Sequence, residues 1–132
     1  MRETDKIRDK VVLVGLNSPV LKREENAGED TLEELSALVE TAGGETVGQV
    51  LQNRSSPDPR TFIGEGKCAE VKLYCENTEA TMVIFDNDLS PSQLRCLTEL
   101  LGVQVLDRCG LILDIFAQRA RTREGRLQVE LA

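Results

Sequence analysis

Three groups of residues have the types and spacing to do chemistry. The first is Gly64-Glu65-Gly66-Lys67, placed where a helix is expected to begin. A glycine-rich helix start offers backbone N–H groups and the positive end of a dipole to an anion or a phosphate oxygen. A Walker A loop needs Gly-x-x-x-x-Gly-Lys followed by Ser or Thr, whereas here the spacing is Gly-x-Gly-Lys and the next residue is Cys68. Two readings stay open, a tight turn and an anion site built on Gly64, Gly66 and Lys67. The second group, Asp86, Asn87 and Asp88, follows an apolar run and could hold a hard cation or form a polar loop that caps the next helix. The third is an arginine edge. At about 100° per residue, Arg119, Arg123 and Arg126 fall in one narrow arc beside the stripe Ile112, Phe116, Ala120, Leu127 and Leu131. Guanidinium forks suit bidentate contact with phosphate, so RNA is one natural partner and a solvated edge paired with neighbouring acids is the other.

Composition removes several classes of activity. The 132 residues contain no His, so a Ser-His-Asp triad, a Cys-His dyad and a His-based zinc centre cannot be built from this chain. Cys68, Cys75, Cys96 and Cys109 lack the Cys-x-x-Cys pairing that zinc sites prefer and are expected as reduced core thiols. No metal site is expected. The longest apolar stretch, Val11 to Leu16, is far shorter than the roughly 20 residues a bilayer span requires. Met-Arg-Glu-Thr-Asp at the start has no apolar signal region behind it, so a cytoplasmic protein is expected. The net charge of −7 speaks against a general nucleic-acid coat, but it is unevenly spread. Residues 1–107 carry 11 Lys/Arg against 20 Asp/Glu, while residues 108–132 carry 5 Arg against 3 acids.

The elements that must position these groups read as alternating strands and helices. With 40% apolar and 30% charged residues, the chain has the composition of a globular domain with one core. Val11 to Leu16 is β-branched and unbroken by polar side chains, as a strand buried on both faces reads. Asp30 and Glu33 have the spacing of a capping box that opens a helix with Leu32, Leu35, Val39 and Ala42 on one face, stopped by Gly43-Gly44. Thr46 to Leu51 is a strand, Asn53 to Arg60 a loop with two prolines, and Thr61-Phe62-Ile63 a short optional strand. A helix with Cys68, Val71 and Cys75 on one face follows, then a strand at Thr81 to Phe85. Ser90-Pro91-Ser92-Gln93 has the cap and first-turn proline of a helix burying Leu94, Leu97 and Leu101, ended by Gly102. A strand at Val103 to Leu106 precedes a long helix from Gly110 onward. The pattern predicts an α/β fold: a small open, mostly parallel sheet flanked by helices over residues 1–107, then the start of a long helix over residues 108–132. In such sheets ligands sit beyond the carboxyl ends of the strands, which directs attention to the loops after Leu16, Leu51 and Phe85.

One run carries a family likeness. Asp107-Arg108-Cys109-Gly110-Leu111-Ile112-Leu113-Asp114-Ile115-Phe116-Ala117-Gln118-Arg119-Ala120-Arg121-Thr122-Arg123-Glu124-Gly125 resembles the signature of HflX-type GTPases. Pro59 to Lys67 and Leu89 to Gln93 resemble two further motifs of that family, in the same order, and the likeness extends over the chain from about Val11. It implies an N-terminal HflX domain, in which a parallel α/β subdomain is followed by a helical hairpin and, in the full protein, a Ras-like G domain. The chain would then end inside the first hairpin helix. The resemblance also implies binding to the large ribosomal subunit near the peptidyl-transferase region, in the service of splitting or rescuing stalled ribosomes. Arg119, Arg123 and Arg126 would face ribosomal RNA, with Arg108 and Arg121 of the same run beside them.

No Walker A loop and no Asn-Lys-x-Asp motif occurs in the sequence, and the Asp-x-x-Gly spacing of Asp107 to Gly110 stands without either, so GTP and Mg²⁺ are expected only on the G domain and catalysis is not expected here. Glu65 stands where the family's Gly-x-Gly-Lys loop is expected to carry a basic residue, which weighs against a nucleotide role for that loop. Two other functions compete with ribosome binding: a small nucleotide- or phosphate-binding domain working through Gly64 to Lys67, and a module that self-associates through the apolar seam of its last helix.

Overall fold

The structure, a computed structural model, describes residues 9–115. Four strands, β1 (Lys10–Asn17), β2 (Glu45–Asn53), β3 (Met82–Phe85) and β4 (Gln104–Asp107), form one sheet in the order β2-β1-β3-β4. Every neighbouring pair is parallel. Three helices connect them, α1 (Glu29–Thr41), α2 (Glu65–Thr78) and α3 (Pro91–Leu101), and a fourth, α4, is described over residues 108–115. This is the predicted α/β arrangement. Of the expected apolar seam only Ile112, half-buried in α4, is described; its other members and the arginine edge lie outside the described residues.

The alternation of β1 explains the two layers. Val12, Val14 and Leu16 point to one face, where they meet Val71 and Cys75 of α2 and Leu97 and Leu101 of α3. Val11 and Leu13 point to the other, against Leu32, Leu35 and Val39 of α1 and Leu111 of α4. A central strand with helices on both sides must be apolar at every position, and residues 11–16 of β1 are all buried. β2 lies at the edge and is only half-buried.

Three expectations need correction. The cap of α1 is Gly28 rather than Asp30: Thr31, at the third helical position, accepts the Gly28 N–H through its hydroxyl at 2.8 Å, while Asp30 is already helical. Thr61-Phe62-Ile63 is not a strand, because Phe62 turns the chain at φ 65° and makes only an isolated antiparallel bridge with Asp58. The cysteines divide, since Cys68 and Cys75 are core residues whose thiols burial pushes up, whereas Cys96 is half-buried and Cys109 exposed.

The cap of α3 matches the sequence. Ser90 accepts the Gln93 N–H through its hydroxyl at 3.1 Å and Gln93 returns a carboxamide oxygen to the Ser90 N–H at 2.9 Å, with Pro91 opening the helix. Ser90→Ala is expected to lower stability by about 1 kcal/mol, and Ser90→Asp by much less, as measured by urea denaturation.

Candidate functional site

The strand order places a topological switch between β1 and β3. α1 carries the chain from β1 to β2 on one side, and α2 carries it back across β1 to β3 on the other. The loops leaving the carboxyl ends of β1 and β3 therefore part and leave a crevice, the position where open α/β sheets bind ligands. Here it is a cavity of about 260 Å³ whose walls include Leu21, Glu25, Phe62, Asp86, Asn87 and Arg108. The loops after Leu16 and Phe85 both contribute, as expected. The loop that follows Leu51 and the end of β2 contributes as well, through Phe62.

Asn87 builds the floor. Its amide nitrogen donates to the carbonyls of Leu16, at 3.0 Å, and Glu25, at 2.8 Å, while its oxygen accepts the Leu16 N–H at 2.9 Å. The side chain is 71 positions from Leu16 in sequence yet ties off the end of β1. Asn87 thus serves the backbone rather than a cation.

Asp86 is the unusual group. Its side chain is 1% exposed, and its Oδ1 accepts from Arg108 Nη1 at 2.9 Å. Its Oδ2 has no hydrogen-bond partner. Burial pushes the carboxyl above the ordinary carboxylate range, with the nearby Thr31 hydroxyl and the Arg108 guanidinium pulling it back. Arg108 is in turn shared, its Nη2 donating to Glu34 of α1 at 3.2 Å. The residue expected among the RNA-binding arginines is therefore an internal clamp between the crevice, α1 and the start of α4.

Phe62 supplies an apolar wall at a conformational cost. A bulky residue at φ 65° is strained by about 1–3 kcal/mol. Two backbone hydrogen bonds with Asp58, of 2.8 and 2.9 Å, hold it there, together with an edge-to-face contact with Phe85 at 6.5 Å between ring centres.

The Gly64 loop is differently occupied. The Gly64 N–H donates to the Gln52 side chain at 3.0 Å, and a Cβ on Gly64 would lie 2.4 Å from the Arg54 guanidinium. The absence of a side chain at this position thus admits Arg54. Lys67 Nζ lies 2.6 Å from Glu70, and Gly66 sits in the first turn of α2 with open space around it.

Comparison with known proteins gives the arrangement a family. The model of the GTP-binding GTPase N-terminal family matches residues 29–117. The chain is 46% identical over 122 residues to the GTPase HflX of Alkalihalophilus pseudofirmus, a match covering 92% of this chain and 28% of that protein. It is 50% identical over 103 residues to the GTPase HflX of Escherichia coli, covering 78% and 24% respectively. The chain belongs to the HflX GTPase family. It corresponds to the N-terminal domain and spans less than a third of the length of these relatives. Among solved structures, the crystal structure of a variant of SsGBP is similar with a TM-score of 0.65 and 26% identity, covering 93% of this chain and 37% of that one.

The three HflX-like motifs meet in space. Gln93 of the second donates to the carbonyl of Pro59 in the first at 3.2 Å, and Leu89 of the second donates its N–H to Asp107 of the third at 3.0 Å. Asp107 also accepts the Gly110 N–H at 2.8 Å, capping α4. In this HflX domain the described parts of the motifs are structural staples that fix the crevice and the direction in which α4 leaves the sheet. Sequence reasoning missed Asp86 as an orphaned carboxylate, Phe62 as a strained wall and Arg108 as a clamp. Only the position of Asp86 and Asn87 at the end of a buried strand signalled any of this.

Proposed function

We propose that this chain is the ribosome-contacting domain of an HflX-like GTPase, binding the RNA of the large subunit through Arg119, Arg121, Arg123 and Arg126 while GTP hydrolysis resides in a separate G domain. The observation that carries the reading is the 46% identity to a GTPase HflX across 92% of the chain. The charge distribution supports it, since residues 108–132 have an excess of arginine within an otherwise acidic chain. The staples at Asp107 fix the start of α4, the segment that precedes Arg119 in the sequence. Arg108 contributes through its clamp rather than through phosphate, being held by Asp86 and Glu34. Such a domain acts in the cytoplasm, where ribosomes are.

Co-sedimentation with purified large subunits across a salt series tests the proposal. Saturable binding that weakens as salt rises is expected, because neutralised phosphates release counterions. Replacing Arg119, Arg123 and Arg126 together by Ala should flatten the slope of log affinity against log salt by about 2–3, and Lys67→Ala should leave it unchanged. A triple variant that binds as the parent does would overturn the site. Loss of binding on Lys67→Ala alone would move it to the Gly64 loop.

A further inference from the structure

The crevice at the switch point has a charge, a shape and an unmet hydrogen-bond demand that together specify a ligand. Glu24 and Glu25 reach it from the single 3₁₀ turn Arg23–Glu25, and Asp86 and Asp88 from the loop after β3. Arg108 is the one cation among the described residues lining it, and Asp86 and Glu34 already neutralise that charge. A phosphate brought here would face carboxylates at short range, where repulsion is strong. A cation would be drawn in.

The demand comes from Asp86 Oδ2, buried and without a hydrogen-bond partner. Among the neighbouring donors both protons of the Asn87 amide go to the Leu16 and Glu25 carbonyls and Arg108 Nη1 goes to Oδ1, while the Thr31 hydroxyl, close enough to act on the Asp86 carboxyl, donates to the Gly28 carbonyl at 3.0 Å. A buried acceptor left in this state is destabilising, and an N–H donor from outside the chain would satisfy it. Leu21 and Phe62 complete the walls with apolar surface. Phe62 is held there against its backbone preference, the kind of strain that collects at ligand sites.

We propose that this crevice binds a small alkyl diamine, one ammonium donating to Asp86 Oδ2, the methylenes lying along Leu21 and Phe62, and the second ammonium reaching Glu24 and Asp88 at the rim. A cavity of about 260 Å³ has room for such a chain. The charge selects ammonium over a neutral alcohol, and the apolar walls select an alkyl stem over a bare metal ion. The proposal uses none of Arg119, Arg123 and Arg126, so ribosome binding and amine binding are tested independently.

Calorimetric titration of the 132-residue chain with putrescine tests it, with the uncharged diol of the same length and inorganic phosphate as parallel probes. Saturable one-site binding of putrescine is expected, with none of the diol or phosphate at the same concentrations. Asp86→Asn should weaken putrescine about tenfold, equivalent to about 1.4 kcal/mol. Asp88→Asn, a change at an exposed rim position that leaves the core untouched, should weaken it about threefold. Absence of saturable putrescine binding, equal affinity in both Asp variants and the parent, or preferential binding of phosphate would each overturn the proposal. A blocked lysine derivative binding more tightly than putrescine would also overturn it, assigning the crevice to a lysine side chain of another protein.

Discussion

Replacing Phe85 by Ala is expected to lower the free energy of unfolding by about 3–5 kcal/mol, the range for removing a fully buried aromatic side chain. Phe85 is 0% exposed and ends β3, the strand between β1 and β4, so its ring is enclosed by the layer that α2 and α3 build on the sheet. Two terms add. Removing the ring withdraws apolar area from the core and leaves a cavity that close-packed neighbours fill only in part. It also removes the edge that Phe62 packs against, one of the few restraints holding Phe62 at φ 65°. Urea denaturation followed by circular dichroism measures the loss. Leu100→Ala, at an exposed position of α3, is the control and should stay within about 0.5 kcal/mol of the parent. Equal midpoints for the two variants would mean that the layer under α2 and α3 is not the cooperative core.

The same residues show what could be read from sequence. β1, β3 and the helices carrying Cys68, Val71, Cys75, Leu97 and Leu101 were legible because burial leaves a periodic apolar trace, unbroken in a central strand and spaced by three or four in a helix. The switch-point crevice was legible too, since alternating strands and helices in a parallel sheet imply where loops part. Gly28 was not, because a cap made by a backbone N–H and a Thr three residues later has no distinctive side chain at the cap itself. Nor was the turn at Phe62, whose apolar neighbours mimic a strand while its φ forbids one. The clamp made by Arg108 was illegible for a different reason. Its partners Asp86 and Glu34 lie 22 and 74 positions away, and no local pattern distinguishes a guanidinium waiting for phosphate from one already held by two carboxylates.

That clamp leads to the second large effect. Arg108→Ala is expected to cost about 3 kcal/mol near neutral pH, because removing one partner of a buried pair leaves the other as an uncompensated charge. Asp86 would then have neither oxygen bonded, since Oδ2 has no partner in the parent and Oδ1 depends on Arg108. Burial already raises the Asp86 pKa in the folded protein, and loss of the neighbouring positive charge raises it further. A group whose folded pKa exceeds its unfolded value contributes stability that is fully present below the unfolded value and is lost as pH rises through the folded one. The penalty in Arg108→Ala should therefore shrink on acidification toward the ordinary carboxylate value and be largest once Asp86 is ionised. Adding Asp86→Asn removes the stranded charge, so the double variant should recover most of the loss at neutral pH and lose the extra pH dependence. Urea midpoints for the parent, both single variants and the double variant between mildly acidic and neutral pH supply the complete cycle. A penalty in Arg108→Ala that neither acid nor Asp86→Asn relieves would show that the arginine acts through its contact with Glu34 or through packing, and that Asp86 is not the charge it compensates.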